Sequence, residues 1–239
     1  AKIFINPGDT VNCGLPSYLG GISAFRSYGA KLEGIELDAQ GMRSDLLEQK
    51  LEALKKIGVK PKFIYIIPDF QNPAGITMPV ARRKEILELA YRYDVLIVED
   101  SPYRELRFDG EAQDMIYKID TTGHVIALGT FSKILAPGFR TGWAIGHPEI
   151  IDKLVVAKQA TDLCTPAILQ LIIARYMEEG LLHKNLPRTI AMYREKRDLM
   201  LKCFDENMPE GVSWTEPEGG LFLFMTLPKH MNAEKLFAV

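Results

Sequence analysis

Three short apolar runs in this sequence each end in an unusual polar phrase. Ile66-Ile67 leads into Pro68-Asp69-Phe70-Gln71-Asn72-Pro73-Ala74-Gly75, and Ile97-Val98 leads into Glu99-Asp100-Ser101-Pro102-Tyr103. Ala127-Leu128 leads into Gly129-Thr130-Phe131-Ser132-Lys133, followed by a glycine-flanked Arg140. Each phrase alone is ordinary: Asn72-Pro73 before Gly75 reads as a turn, Asp100 as a strand-end cap, Tyr103 as a half-buried core residue, Lys133 as a surface lysine. Together they supply an amine, a carboxylate, an amide, a phenol, two hydroxyls and a guanidinium.

That combination suits one kind of chemistry. A lysine is the side chain that holds an aldehyde reversibly, as a Schiff base. A buried carboxylate such as Asp100 keeps a nearby pyridine nitrogen protonated, so that the ring can take up a carbanion's electrons. Asn72 and Tyr103 can donate hydrogen bonds to a phenolic oxygen. Arg140 offers a charged fork to a phosphate, with Thr130 and Ser132 adding hydroxyls. Pyridoxal 5'-phosphate (PLP) carries all four of these groups.

For these residues to meet, the apolar runs must be neighbouring strands. In open α/β sheets ligands bind beyond the carboxyl ends of the strands. The pattern along the chain predicts such a sheet, with strands at Thr10–Cys13, Gly34–Leu37, Phe63–Ile67, Val95–Val98, Val125–Leu128 and, shorter, Trp143–Ile145. Between them the periodicity predicts helices over Tyr18–Ser27 and Ser44–Ile57, the latter with Leu47, Leu51 and Leu54 on one face, and a further helix with Ile86, Leu89, Ala90 and Tyr93 inward. After Pro148 the chain turns helical, with a long helix from about Pro187 to Asn207. Val212–Trp214 and Leu221–Met225 then read as a hairpin. The expected fold class is α/β, a mostly parallel sheet flanked by helices, joined to an incomplete smaller α+β unit. The division falls at 1–187 and 188–239.

Composition narrows the partners. Of the 239 residues, 47% are hydrophobic and 25% charged, as in ordinary globular proteins, and the net charge is -2. No basic stripe points to nucleic acid, so small molecules and further copies of the chain are the expected partners. No apolar run is long enough to cross a bilayer. Cys13, Cys164 and Cys203 are far apart and read as buried, reduced thiols of a cytoplasmic protein. The four histidines show no metal-ligand spacing, so no metal is expected. Ala1–Ile5 reads as the tail of a helix under way and Asn232–Val239 as a capped helix just starting, as in an internal segment of a longer protein.

The polar phrases resemble the fold-type I aminotransferases of class I and II over nearly the whole chain. Asn72-Pro73-Ala74-Gly75 is similar to the family's asparagine-proline-X-glycine motif. Asp100 and Tyr103 are similar to its strand-end aspartate and following tyrosine, and Thr130-Phe131-Ser132-Lys133 to its lysine motif. Arg140 resembles its phosphate arginine, and Gly219-Gly220-Leu221-Phe222 a turn in its smaller domain. The nearest resemblance is to the subgroup of 2-aminoadipate and kynurenine aminotransferases and related PLP-binding regulators. There a Pro-X-Tyr, here Pro16-Ser17-Tyr18, sets a tyrosine against the cofactor ring.

The resemblance implies PLP on Lys133 and transfer of an amino group between an α-amino acid and a 2-oxo acid. Lys133, Asp100 and Tyr103 are then catalytic, Tyr18, Asn72, Thr130, Ser132 and Arg140 hold the cofactor, and Asn72 and Tyr18 also touch substrate. A cytoplasmic homodimer is implied as well. A second phosphate-binding turn is expected before Ala1 and the arginine for the substrate carboxylate beyond Val239. Thr130 replaces a commoner serine, and Cys13-Gly14-Leu15 stands where the subgroup often has acidic residues. The alternatives are another PLP reaction on the same scaffold, such as β-elimination or decarboxylation, and the ligand-sensing domain of a transcriptional regulator. A dinucleotide-binding domain is disfavoured, because no G-x-G-x-x-G follows the first strand.

Overall fold

The computed structural model describes residues 1–237. Seven strands form one sheet: β1 (Thr10–Leu15), β2 (Lys31–Asp38), β3 (Gly41–Met42), β4 (Phe63–Ile66), β5 (Leu96–Asp100), β6 (Val125–Thr130) and β7 (Gly142–Ile145). Their order is β3-β2-β1-β4-β5-β6-β7. The five central strands are parallel, and β3 and β7 run antiparallel at the two edges. The expected mostly parallel α/β sheet is therefore present. From β1 the chain winds one way to β2 and then back across to β4, β5 and β6. The carboxyl ends of β1 and β4 thus flank the point where the winding reverses, the usual ligand position in such sheets.

Helices α1 (Leu19–Ser27), α2 (Ser44–Lys56), α3 (Val80–Tyr93) and α4 (Ile116–Ile119) connect these strands. Alternation along β4 explains how both sheet faces are filled. Ile64 and Ile66 pack with Leu47 and Leu51 of α2 and Ile86 and Leu89 of α3. Phe63, Tyr65 and Ile67 pack on the other face with Phe25 of α1, Val98 and Ile126. All four residues of β4 are buried, as a continuous apolar run covered on both sides requires.

Beyond the sheet come α5 (Pro148–Asp162), α6 (Ala167–Glu178), α7 (Leu181–Asn207), a hairpin of β8 (Ser213–Trp214) and β9 (Met225–Thr226), and α8 (Ala233–Phe237). Three sequence expectations change here. The long helix starts at Leu181 rather than near Pro187, which lies inside it. Its start is set by Gly180, whose φ of 68° breaks the chain direction after α6. The second hairpin strand is only Met225–Thr226. The backbone just before it bonds elsewhere, with Gly220 N–H donating to Leu106 O at 2.8 Å and Gly219 bridging Arg107. Of the three cysteines only Cys13 is buried, while Cys164 in the bend between α5 and α6 and Cys203 on α7 are exposed. The short β3 and α4 carry no periodic signal and escape sequence reading.

At the ends, Ala1–Ile5 makes one turn, Phe4 and Ile5 N–H both donating to Ala1 O at 3.0 Å. Asn232 Oδ1 caps α8 by accepting from Lys235 N–H at 3.0 Å. Ala238 and Val239 lie outside the described residues.

Candidate active site

A cavity of about 410 Å³ opens beyond the carboxyl ends of β4, β5 and β6. Its wall contains all eight residues singled out from the sequence: Tyr18, Asn72, Asp100, Tyr103, Thr130, Ser132, Lys133 and Arg140. Ile67, Pro102 and Phe222 complete it. Among the described residues Lys133 is the only lysine in this wall.

Asp100 closes β5. Its face follows from register: Tyr65 of β4 pairs with Val98, and Asp100 lies two residues beyond Val98, on the same side. The Tyr65 hydroxyl donates to Asp100 Oδ2 at 2.6 Å. Burial pushes the Asp100 carboxyl above the ordinary carboxylate range, and the Tyr65 bond offsets part of that. Burial and the facing Asp100 charge push the Tyr65 phenol far upward, so it remains a donor at any working pH. Among the described residues no cation pairs with Asp100. Sequence reading missed Tyr65 because it reads as one more aromatic in a buried strand.

Asn72 and Tyr103 meet directly, Asn72 Nδ2 donating to Tyr103 Oη at 3.2 Å. With that acceptor position filled, the Tyr103 hydroxyl proton is free to be donated elsewhere. Burial raises the Tyr103 phenol, chiefly by desolvation. Its ring stands edge-on to Phe222, centroids 5.4 Å apart. The loop carrying Asn72 is fixed at two points. Gln71 accepts from Ala74 N–H at 2.7 Å and donates to Pro16 O at 2.9 Å, tying it to the chain before Tyr18. Asp69 is gripped by Arg83 of α3, through bonds of 2.7 and 3.2 Å.

Arg83 is fully buried and uses all five of its N–H groups: two on Asp69 and one each on the carbonyls of Met78, Asp114 and Pro68. Sequence reading missed this cluster too. Its one available signal was an arginine in line with the apolar stripe of α3.

On the loop after β6, Ser132 N–H donates to Thr130 Oγ1 at 3.1 Å, and Thr130 Oγ1 lies 3.0 Å from Ser132 Oγ and 3.2 Å from Thr141 O. Thr130's single proton is thereby committed within the loop, which makes Thr130 the brace and Ser132 the hydroxyl nearer to free. Lys133 Nζ has no ion-pair or hydrogen-bond partner among the described residues. Arg140 ends a short 3-10 turn in the left-handed region, φ 50° and ψ 35°, uncommon for a non-glycine residue. Its Nη1 donates to Pro137 O at 3.2 Å. At the cavity's other wall the Tyr18 ring folds over Gly20, where a Cβ would lie 2.5 Å from the ring's end.

Phe222 reaches the cavity through two glycines that leave no room for side chains. A Cβ on Gly219 would come within 2.4 Å of Leu106 O, and one on Gly220 within 2.4 Å of Phe70 Cβ. The assembled wall thus offers a free amine, a half-buried carboxylate lacking a cation, aligned neutral donors, and a hydroxyl with an exposed guanidinium. A flat ligand bearing an aldehyde, a protonated ring nitrogen, a hydroxyl and a phosphate matches that donor set group by group.

Comparison with known proteins agrees. The sequence model of the family "Aminotransferase class I and II" matches residues 1–239. Aromatic-amino-acid aminotransferase 1 of Thermococcus litoralis is 52% identical, over 98% of this chain and 56% of its own length. The 2-aminoadipate transaminase of Thermus thermophilus is 41% identical over 99% of this chain and 59% of its own. The crystal structure of the Pyrococcus horikoshii kynurenine aminotransferase, in complex with PMP and kynurenine, superposes with a TM-score of 0.97 at 49% identity, covering 99% of this chain and 59% of that one. The chain therefore spans just under three fifths of the length of the relatives it matches.

Proposed function

The chain belongs to the class I and II aminotransferases, and we propose that it forms the cofactor-holding part of a PLP-dependent enzyme that moves an amino group between an α-amino acid and a 2-oxo acid. One observation carries this reading: eight residues from four separate segments line a single cavity, in which Asp100 is a half-buried carboxylate with only a neutral partner among the described residues. When bound, PLP supplies an aldehyde that condenses with amines and a ring that takes up electrons.

The protein's own groups do the rest. Lys133, the lysine of the cavity wall, would hold PLP through its aldehyde group. Its free amine would serve as the base, and then the acid, for the proton on the substrate Cα. Asp100 would keep a pyridine nitrogen protonated. Tyr103, aligned by Asn72, would donate to a phenolic oxygen, and Tyr18 would cover the ring. Arg140 and Ser132 would hold a phosphate on a loop braced by Thr130. Asn72 and Tyr18 also border the place left for substrate.

The reading extends to a large domain over 1–187, the start of a smaller one over 188–239, a homodimer and a cytoplasmic setting. Exposed apolar side chains on β7, α5 and α6, among them Trp143, Val156 and Leu171, support a partner surface. Among the described residues no helix is long and apolar enough to cross a membrane.

Mixing the full-length protein with a panel of amino acids and following its absorbance tests the reaction. Conversion to the pyridoxamine form, with release of the matching 2-oxo acid, is the expected result. Release of ammonia or carbon dioxide without that conversion would assign the cavity to a different reaction.

A further inference from the structure

On the cofactor reading above, on which this inference rests, we propose that Tyr65 is a positioning residue: its hydroxyl holds the Asp100 carboxylate in the charged form and in the orientation that a cationic ring nitrogen requires. Tyr65 is 2% exposed and lies in the middle of the sheet, two strand positions short of the cavity. Its donated bond is, among the described residues, the one side-chain hydrogen bond Asp100 receives.

The surroundings are arranged so that this bond can form. Phe25 holds the Tyr65 ring edge-on, centroids 5.1 Å apart. Gly21 of α1 leaves the space the ring's end occupies, since a Cβ there would sit 3.1 Å from Tyr65 Cζ and 3.2 Å from its hydroxyl. Glycine weakens a helix interior relative to alanine, so its place here fits a packing need. The other titratable or charged groups in or facing the cavity are Tyr18 at the start of α1, Tyr103 after β5, and Lys133 and Arg140 after β6. None of them forms an ion pair with Asp100 among the described residues. Burial works against the Asp100 charge, and the Tyr65 proton is the group that works for it. Because the Tyr65 phenol stays protonated throughout the working range, the help it gives is constant with pH.

A hydrogen bond to an ionised group shifts its titration by about one to two pH units. The test uses full-length protein freed of PLP and labelled with 13C at aspartate carboxyls, the Asp100 resonance being the one missing from Asp100→Asn. Tyr65→Phe keeps the ring and removes the donor, so the Asp100 midpoint should rise by about one to two units. Replacing Tyr65 with the more acidic 3-fluorotyrosine strengthens the donor and should lower the midpoint. Tyr91→Phe is the control, since the Tyr91 hydroxyl donates to Asp120 at 2.8 Å, outside the cavity wall, and should leave Asp100 unmoved. Reloaded with PLP, Tyr65→Phe should show a cofactor absorbance whose pH dependence moves with the Asp100 midpoint. The titration is read without cofactor, so its failure is distinct from a failure of PLP to attach at Lys133. If neither the phenylalanine nor the fluorotyrosine protein moves the Asp100 midpoint, Tyr65 only fills space and the proposal falls.

Discussion

Glu99 and Asp100 are adjacent in β5, Glu99 fully buried and Asp100 half-buried, both with carboxyls pushed upward by desolvation, yet they sit in opposite kinds of surroundings. Strand alternation sends them to opposite faces of the sheet. Glu99 accepts from the backbone N–H groups of Ile116 and Tyr117, at 3.0 and 2.9 Å, and has Arg83 at 4.0 Å. Arg83 in turn spends every donor on Asp69 and on carbonyls. Asp100 faces a cavity with a single neutral phenol beside it. A buried charge whose needs are all met inside the protein is scaffold. A buried charge left without a cation on a cavity wall is set up for a cation from outside.

The contrast can be broken first on the scaffold side. Arg83→Met leaves Glu99 without its cation and Asp69 with only the longer contacts to Arg104 and Arg107, at 3.5 and 3.9 Å, and removing one partner of a buried charge pair typically costs about 3–5 kcal/mol. Chemical denaturation of the cofactor-free protein should show that loss. A variant as stable as the parent would mean that the cluster contributes nothing net.

Asp100→Asn should do the reverse. It should lower turnover by three powers of ten or more, roughly 4 kcal/mol at 1.36 per decade, while the folded protein without cofactor is no less stable. The sign follows from linkage. A carboxyl raised on folding favours the folded state while protonated. That advantage is lost as pH rises from the ordinary aspartate range through the raised value. Above it, the neutral asparagine relieves a penalty. Near-normal turnover in Asp100→Asn, or marked destabilisation at neutral pH, would place Asp100 with Glu99 as scaffold.

Arg140→Lys sharpens the site side. Lysine cannot reproduce the guanidinium fork, so PLP should bind roughly tenfold to a hundredfold more weakly. Preference among amino acid substrates should stay as it was. Unchanged PLP affinity with weakened substrate would make Arg140 a carboxylate clamp instead.

The smallest effect is expected at Asn72, whose amide aligns Tyr103. Loss of one neutral hydrogen bond, about 0.5–1.5 kcal/mol, predicts PLP binding weakened by roughly twofold to tenfold in Asn72→Ala. Equilibrium titration with PLP reads it directly, and a loss well beyond tenfold would mean that Asn72 touches the cofactor itself.

The site was more legible in the sequence than the scaffold that holds it. Lys133, Asp100 and Asn72 stand at the ends of apolar runs, so one rule about sheet edges gathers them without any knowledge of packing. Tyr65 and Arg83 act through neighbours that are distant in sequence, Asp100 and Asp69. Nothing in a strand-type tyrosine or a helix arginine announces such a partner. The start of α7 was misplaced because proline prefers a first turn, whereas here Gly180 begins the helix six residues earlier than expected and the proline is tolerated inside. Phe222 reached the cavity through a double-glycine turn whose purpose appears only when the Phe70 and Leu106 contacts are seen.

The most direct test is to find the lysine that carries the cofactor. Full-length protein loaded with PLP is reduced with borohydride, digested, and mapped for the pyridoxyl group. Lys133, the lysine in the cavity wall, should carry the label, and Lys133→Ala should carry none. Label on Lys153 or Lys158, both on α5 and outside that wall, would contradict the assignment of this cavity as the cofactor site.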